Sequence, residues 1–172
     1  MIIWVIVLLL TACGSTKVNT AQSRFYQSFV TRFNVYHNGN EAYKEGLSAQ
    51  EKSHKDNYME IIPLFPVSKE NTRSSGSGSF DKAIEKSQKA IKLHSIKQKP
   101  KKKAGRKLSE KDKLWYAKKE YNPYLHNAWM LMGKAQFQKG EFLEAASTFS
   151  YITRLYSEDP KIEAEARMRM AQ

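Results

Sequence analysis

A single cysteine, Cys13, among 172 residues excludes an internal disulfide, so packing alone must hold the fold. The chain also lacks the roughly 20-residue apolar run that a helical membrane span requires. Its longest such run, Ile2 to Ala12, is about half that length and carries no polar residue before Thr11. A buried core helix of that size would normally have one polar face, so the run reads instead as the core of a signal peptide. No lysine or arginine precedes it. Either the positive n-region is reduced to the amino terminus, or the start lies a few codons too late. Metal-ligand spacing is absent too. His37, His54, His94 and His126 are scattered, without His-x3-His or Glu-x2-His spacing. The run SGSGSF has no lysine after its glycines, and Gly133-Lys134 lacks the upstream glycine and following hydroxyl of a P-loop. Neither can cradle a phosphate. With no Gly-x-Ser-x-Gly elbow either, the sequence points to no enzyme and no cofactor.

What is present begins where the apolar run stops. Leu10-Thr11-Ala12-Cys13 resembles the bacterial lipobox, in which small residues admit the segment to a signal peptidase and the following thiol accepts the acyl group. This assigns 1–12 to a lipoprotein signal peptide, Cys13 to lipid attachment and 13–28 to a polar tether. The alternative is an ordinary signal peptide with a cysteine just beyond it. About 160 residues would remain, enough for one domain with a real core.

The formal charge of +12 is unevenly placed. Lys97–Lys119 holds ten lysines and one arginine against Glu110 and Asp112, a net +9. Pro100 and Gly105 break any helix through its first half, and like charges resist compaction. We assign 97–121 to a basic linker, either a solvated spacer or, through Lys97–Lys107, a contact for an anionic surface. Nucleic acid is not an expected partner, because an exported protein meets little of it and no recognition motif occurs.

Elsewhere the period is helical and strand signals are nearly absent. Phe29, Phe33, Tyr36, Asn40, Tyr43 and Leu47 draw one stripe down a first helix, interrupted at Asn38-Gly39. Ile61–Ser79, with two prolines and a Gly/Ser run, reads as a loop with a flexible end. A second helix places Phe80, Ala83, Ile84, Ser87, Ala90, Ile91 and His94 on one face. Asn122-Pro123 predicts the start of a third helix, which runs to Gly140. A fourth, from Glu141 to about Tyr156, buries Phe142, Ala145, Ala146, Phe149, Ile152 and Leu155. Asp159-Pro160 opens a fifth.

The two Asx-Pro starts lie 37 residues apart, the length of a helix hairpin and its turn. HNAWMLMGKAQFQKGEFLEAASTF resembles a tetratricopeptide repeat. Trp129, Met132 and Gly133 match the core of its first helix. Gly140 and Phe142 match the turn, and Ala145 and Phe149 match the second helix. The resemblance implies repeat-packing roles for Trp129, Gly133, Ala145 and Phe149. The proline that usually closes the repeat comes three residues late, at Pro160. The implied fold class is all-α, a partial tetratricopeptide-repeat helix-hairpin solenoid behind a lipoprotein signal peptide. Its units are a first hairpin at 29–96 with a loop insertion at 61–79, a repeat at 122–158, and the start of a further repeat at 159–172.

The phrases NVYHNGNE (34–41) and LFPV (64–67), in order with these helices, resemble the N-terminal region of the Bacteroidetes tetratricopeptide-repeat outer-membrane lipoproteins of gliding motility and type IX secretion (the SprE/PorW type). Members of that family are far longer, so the resemblance implies a truncated amino-terminal piece. It further implies a lipid-anchored scaffold on the periplasmic face of the outer membrane, bound to protein partners of the secretion and motility machinery. Two other readings share the lipidated repeat. One is an adaptor in outer-membrane barrel assembly, which gives no reason for the PLFPV loop. The other is a carbohydrate-capturing lipoprotein, for which Trp115 and Tyr116 are the candidate sugar-stacking rings.

Overall fold

Helix is the only regular structure among the described residues, 18–101 and 108–172 of the computed structural model. The signal peptide and the first part of the expected tether, 13–17 with Cys13, lie outside them, as do 102–107 of the basic segment. The chain forms α1 (Ala21–Val30), a π-helical turn (Thr31–Tyr36), α2 (His37–Ser53), α3 (Glu70–Ser74), α4 (Ser77–His94), α5 (Glu110–Ala117), α6 (Leu125–Lys139), α7 (Phe142–Leu155) and α8 (Pro160–Met170). No described helix is long and apolar enough to cross a membrane.

The first three helical segments run on without a break from Ala21 to Ser53. Helix therefore begins inside the expected tether, because the Thr20 hydroxyl accepts from Ser23 N–H and caps it. Asn38-Gly39 does not interrupt the helix. Nor is the buried face the expected aromatic stripe. Inward positions are Gln27, Thr31, Val35, Gly39, Ala42, Gly46 and Gln50, while Phe29 and Phe33 are exposed. Two causes are visible. The Thr31 hydroxyl donates to Gln27 C=O at 2.6 Å, and the π-turn accommodates an extra residue there, shifting the phase of the face. Close approach to α4 then selects small residues. A Cβ on Gly46 would stand 2.6 Å from the Phe80 ring.

Helix α4 lies antiparallel to the continuous helix from α1 to α2, with Phe80 over Gly46 of α2 at one end and His94 bonded to Gln27 of α1 at the other. The SGSGS run that reads as a linker is instead a helix junction. Gly76 has φ 79°, and any Cβ there would stand 2.6 Å from the Gly46 carbonyl oxygen, so glycine closes the loop onto α2. Helix α6 packs along both. Leu125 and Ala128 meet Val35 and Ala90, and Ala135 meets Ala42, Phe80 and Ala83. Helix α7 returns antiparallel to α6 after Gly140, which ends α6 in the left-handed region at φ 88°. Helix α8 adds Ala166 to the cluster of Met130, Ala145, Phe149 and Ile152. The core is thus two helix hairpins and a further helix stacked in sequence. The expected burial of Phe142 does not hold: it is 40 % exposed, edge-on to Phe137 at the turn.

Between the hairpins, the segment expected to be a basic linker contains α5, started by a Ser109/Asp112 capping box. It leads into a buried junction. The Glu120 carboxylate, 5 % exposed, accepts from Ser95 O–H and from the N–H groups of Ile96, Tyr121 and Asn122. Asn122 is not the helix cap expected of Asn-Pro. Its amide donates to the Thr31 hydroxyl and His94 C=O, and α6 starts two residues beyond Pro123. Asp159 does cap α8, accepting from Ile162 N–H.

Candidate functional site

The sequence-predicted packing residues converge at the second hairpin. A Cβ on Gly133 would stand 2.7 Å from the Phe149 ring, so glycine is what lets that ring cover α6. Ala145 and Phe149 are buried in the same cluster. Trp129 packs against that cluster and the preceding one, its ring 4.8 Å from that of Tyr151. These four residues hold the stack and present no reactive group. The lipid-attachment residue, Cys13, lies outside the described residues.

The stack brings α2, α6 and α8 together on one side, and their outward side chains form a shared polar-aromatic face. The Lys134 ammonium of α6 lies 5.5 Å from the centre of the Tyr43 ring of α2, a cation–π contact. Burial lowers the Lys134 pKa, and the nearby Arg169 charge of α8 lowers it further, against a smaller opposing effect of Glu165. Burial likewise raises Tyr43, and it raises Tyr36, with further contributions from Tyr124 and Glu165. Tyr36 stands edge-on to Tyr124 at 5.3 Å, and the Arg32 guanidinium sits 5.6 Å over the Tyr124 ring. A recess of ≈ 70 Å³ is lined here by Tyr43, Phe65, Lys134, Gln138 and Arg169 among others. The Arg169 Nε is buried with no hydrogen-bond partner among the described residues. Such a face can hold an extended or helical segment through stacking, cation–π contact and charge-assisted hydrogen bonds.

Sequence reasoning placed Tyr36 and Tyr43 in a core stripe and met Lys134 only as a failed phosphate motif. The usable signal was that Lys134 and Gln138 lie four apart on α6, a polar pair on a helix whose other positions are mostly buried.

Trp115 does not present an open ring. It is half-buried, edge-on to Tyr121 at 5.3 Å, with Arg24 at 5.0 Å and Lys118 at 5.5 Å from its centre. The Tyr116 hydroxyl points to Lys101 C=O at a long 3.5 Å. Lys97, Lys99 and Lys101 are exposed; 102–107 of the Lys97–Lys107 run lie outside the described residues. Among the described residues no three His, Cys, Asp or Glu side chains are grouped to hold a metal ion. No protein-family model matches the chain, and no curated protein matches it either.

Proposed function

We propose that the chain is a membrane-anchored tetratricopeptide scaffold that holds a protein partner on the α2–α6–α8 face. The observation that carries this reading is a repeated packing device. Phe80 covers Gly46 in the first hairpin as Phe149 covers Gly133 in the second, and a third unit begins with Ala166 against the same cluster. Stacked hairpins of this kind put alternate helices on one continuous binding surface. The match of Trp129, Gly133, Ala145 and Phe149 to the repeat pattern supports the same conclusion.

The anchor in this reading is acylated Cys13, and the location is the periplasmic face of the outer membrane. The resemblance of NVYHNGNE and LFPV to the gliding and type IX secretion lipoproteins is what assigns the partner to that machinery. Lys134 and Arg169 beside Tyr43 suit a partner segment carrying carboxylates and an aromatic or apolar side chain. Complementation of a deletion strain, read as secretion of a reporter cargo, tests the proposal. Lys134→Glu with Arg169→Glu should lower secretion strongly at normal protein level. If that pair is harmless and one exposed Asp, Glu or His elsewhere proves indispensable, a catalytic site replaces the scaffold.

A further inference from the structure

The first helix is turned inside out. Its inward positions are polar, Gln27 at 3 % and Thr31 at 0 % exposure, whereas Phe25, Tyr26, Phe29 and Phe33 are 73 %, 55 %, 53 % and 57 % exposed. The rings are organised rather than scattered. Phe25 and Phe29 stack at 6.3 Å between centres, and Phe29 and Phe33 approach to 4.8 Å. Single exposed apolar side chains need no explanation, but a contiguous ridge marks a contact surface.

We propose that this ridge is a membrane-contact surface, lying in the headgroup region of an anionic bilayer. Charge selects that occupant. The chain contains no Asp or Glu before Glu41, while Lys17, Arg24 and Arg32 are all cationic. Arg32 holds its guanidinium 5.1 Å from the Phe33 ring, so a positive group stands beside the aromatic row. Aromatic rings with flanking cations are the composition of a helix lying in a membrane interface, where the rings enter the headgroup level and the cations meet lipid phosphates. Reach is available. Ala21 follows Cys13 by eight residues, which span at most about 28 Å when extended. A lipid on Cys13 would therefore keep α1 close to the bilayer. The reach rests on the anchored reading above; the chemistry of the ridge does not.

The test uses the full mature chain reconstituted into vesicles of phosphatidylethanolamine and phosphatidylglycerol with brominated acyl chains. An acylated Cys13 has no thiol, so Tyr26→Cys supplies the single site for a bimane label, and Leu143→Cys on α7 supplies a distant control. Brominated lipid should remove most of the emission at position 26 and leave position 143 unchanged. Adding Phe25→Ser, Phe29→Ser and Phe33→Ser should abolish the quenching while the protein stays in the membrane fraction. Thiol counting on the unsubstituted chain reports the anchor separately. No quenching at 26 with that thiol blocked overturns the ridge and leaves the anchor standing. If that thiol is free, the measurement is made with Cys13→Ser so that position 26 alone carries the label. Quenching there supports the ridge and removes the anchor, while no quenching overturns the ridge. A label shielded from aqueous iodide but untouched by brominated lipid means that a second copy or another protein covers the ridge, and that also overturns the proposal.

Discussion

Glu120 shows what one residue contributes that no motif announces. In the sequence it is an acid at the end of a lysine-rich stretch, indistinguishable from a solvated charge. In the fold it is buried and ties Ser95 and Ile96 to the start of the second hairpin. Glu120→Ala strands the Ile96 and Asn122 N–H groups, at about 1–3 kcal/mol for each buried group left unsatisfied. Urea titration should show that loss, with Glu120→Gln losing less because one acceptor oxygen remains. Two histidines give a second residue-scale prediction. Burial holds His94 and His126 below the usual imidazole pKa, so the folded state favours their neutral rings. Their contribution to stability is complete above the unfolded value of about 6.5 and is lost as pH falls through it toward the lowered folded value. The melting temperature should drop on acidification from neutrality through the unfolded imidazole value, and more shallowly for His94→Gln with His126→Gln. By contrast Gly133, Ala145 and Phe149 were legible in advance, because a close helix crossing restricts its residue types locally.

At the scale of elements, legibility followed how local the determining physics was. The α7 and α8 boundaries were readable from Gly140 and from Asp159-Pro160, where capping and backbone freedom act within one turn. Helix α1 and the face of α2 were misread because periodicity assumes 3.6 residues per turn and large apolar residues inward. The π-turn at Thr31–Tyr36 shifts the phase, and the nearness of α4 prefers glycine to phenylalanine. Gly76 carried the same kind of tertiary information inside what looked like a linker. The Gly46–Phe80 contact makes this testable. Gly46→Ala should cost roughly 1–3 kcal/mol by overpacking against the ring, as should Ala145→Leu in the second hairpin. Shortening the opposing ring with Phe80→Leu should recover part of the first loss, giving a non-additive double-mutant cycle in thermal or urea unfolding. Additive losses would mean that the ring and the glycine do not share one space.

For the whole molecule, the stacking of helices decides which of them share a face. The sequence period pointed to hairpins, but Tyr43, Lys134 and Arg169 come from three helices. No local pattern predicts that they meet. Ala166 of α8 packs in the same cluster as Ala145, so Ala145→Leu should also loosen α8, seen as faster amide exchange there. The central claim is that the α2–α6–α8 face holds a protein partner. It is tested most directly by placing a photo-crosslinking amino acid at Tyr43 in the full-length chain in cells, with Glu85 on α4 as the off-face position. The account predicts one discrete protein adduct from position 43, its loss when Lys134→Glu and Arg169→Glu are added, and no such adduct from position 85. Identical adducts from both positions, or none from position 43 at normal protein level, would contradict it.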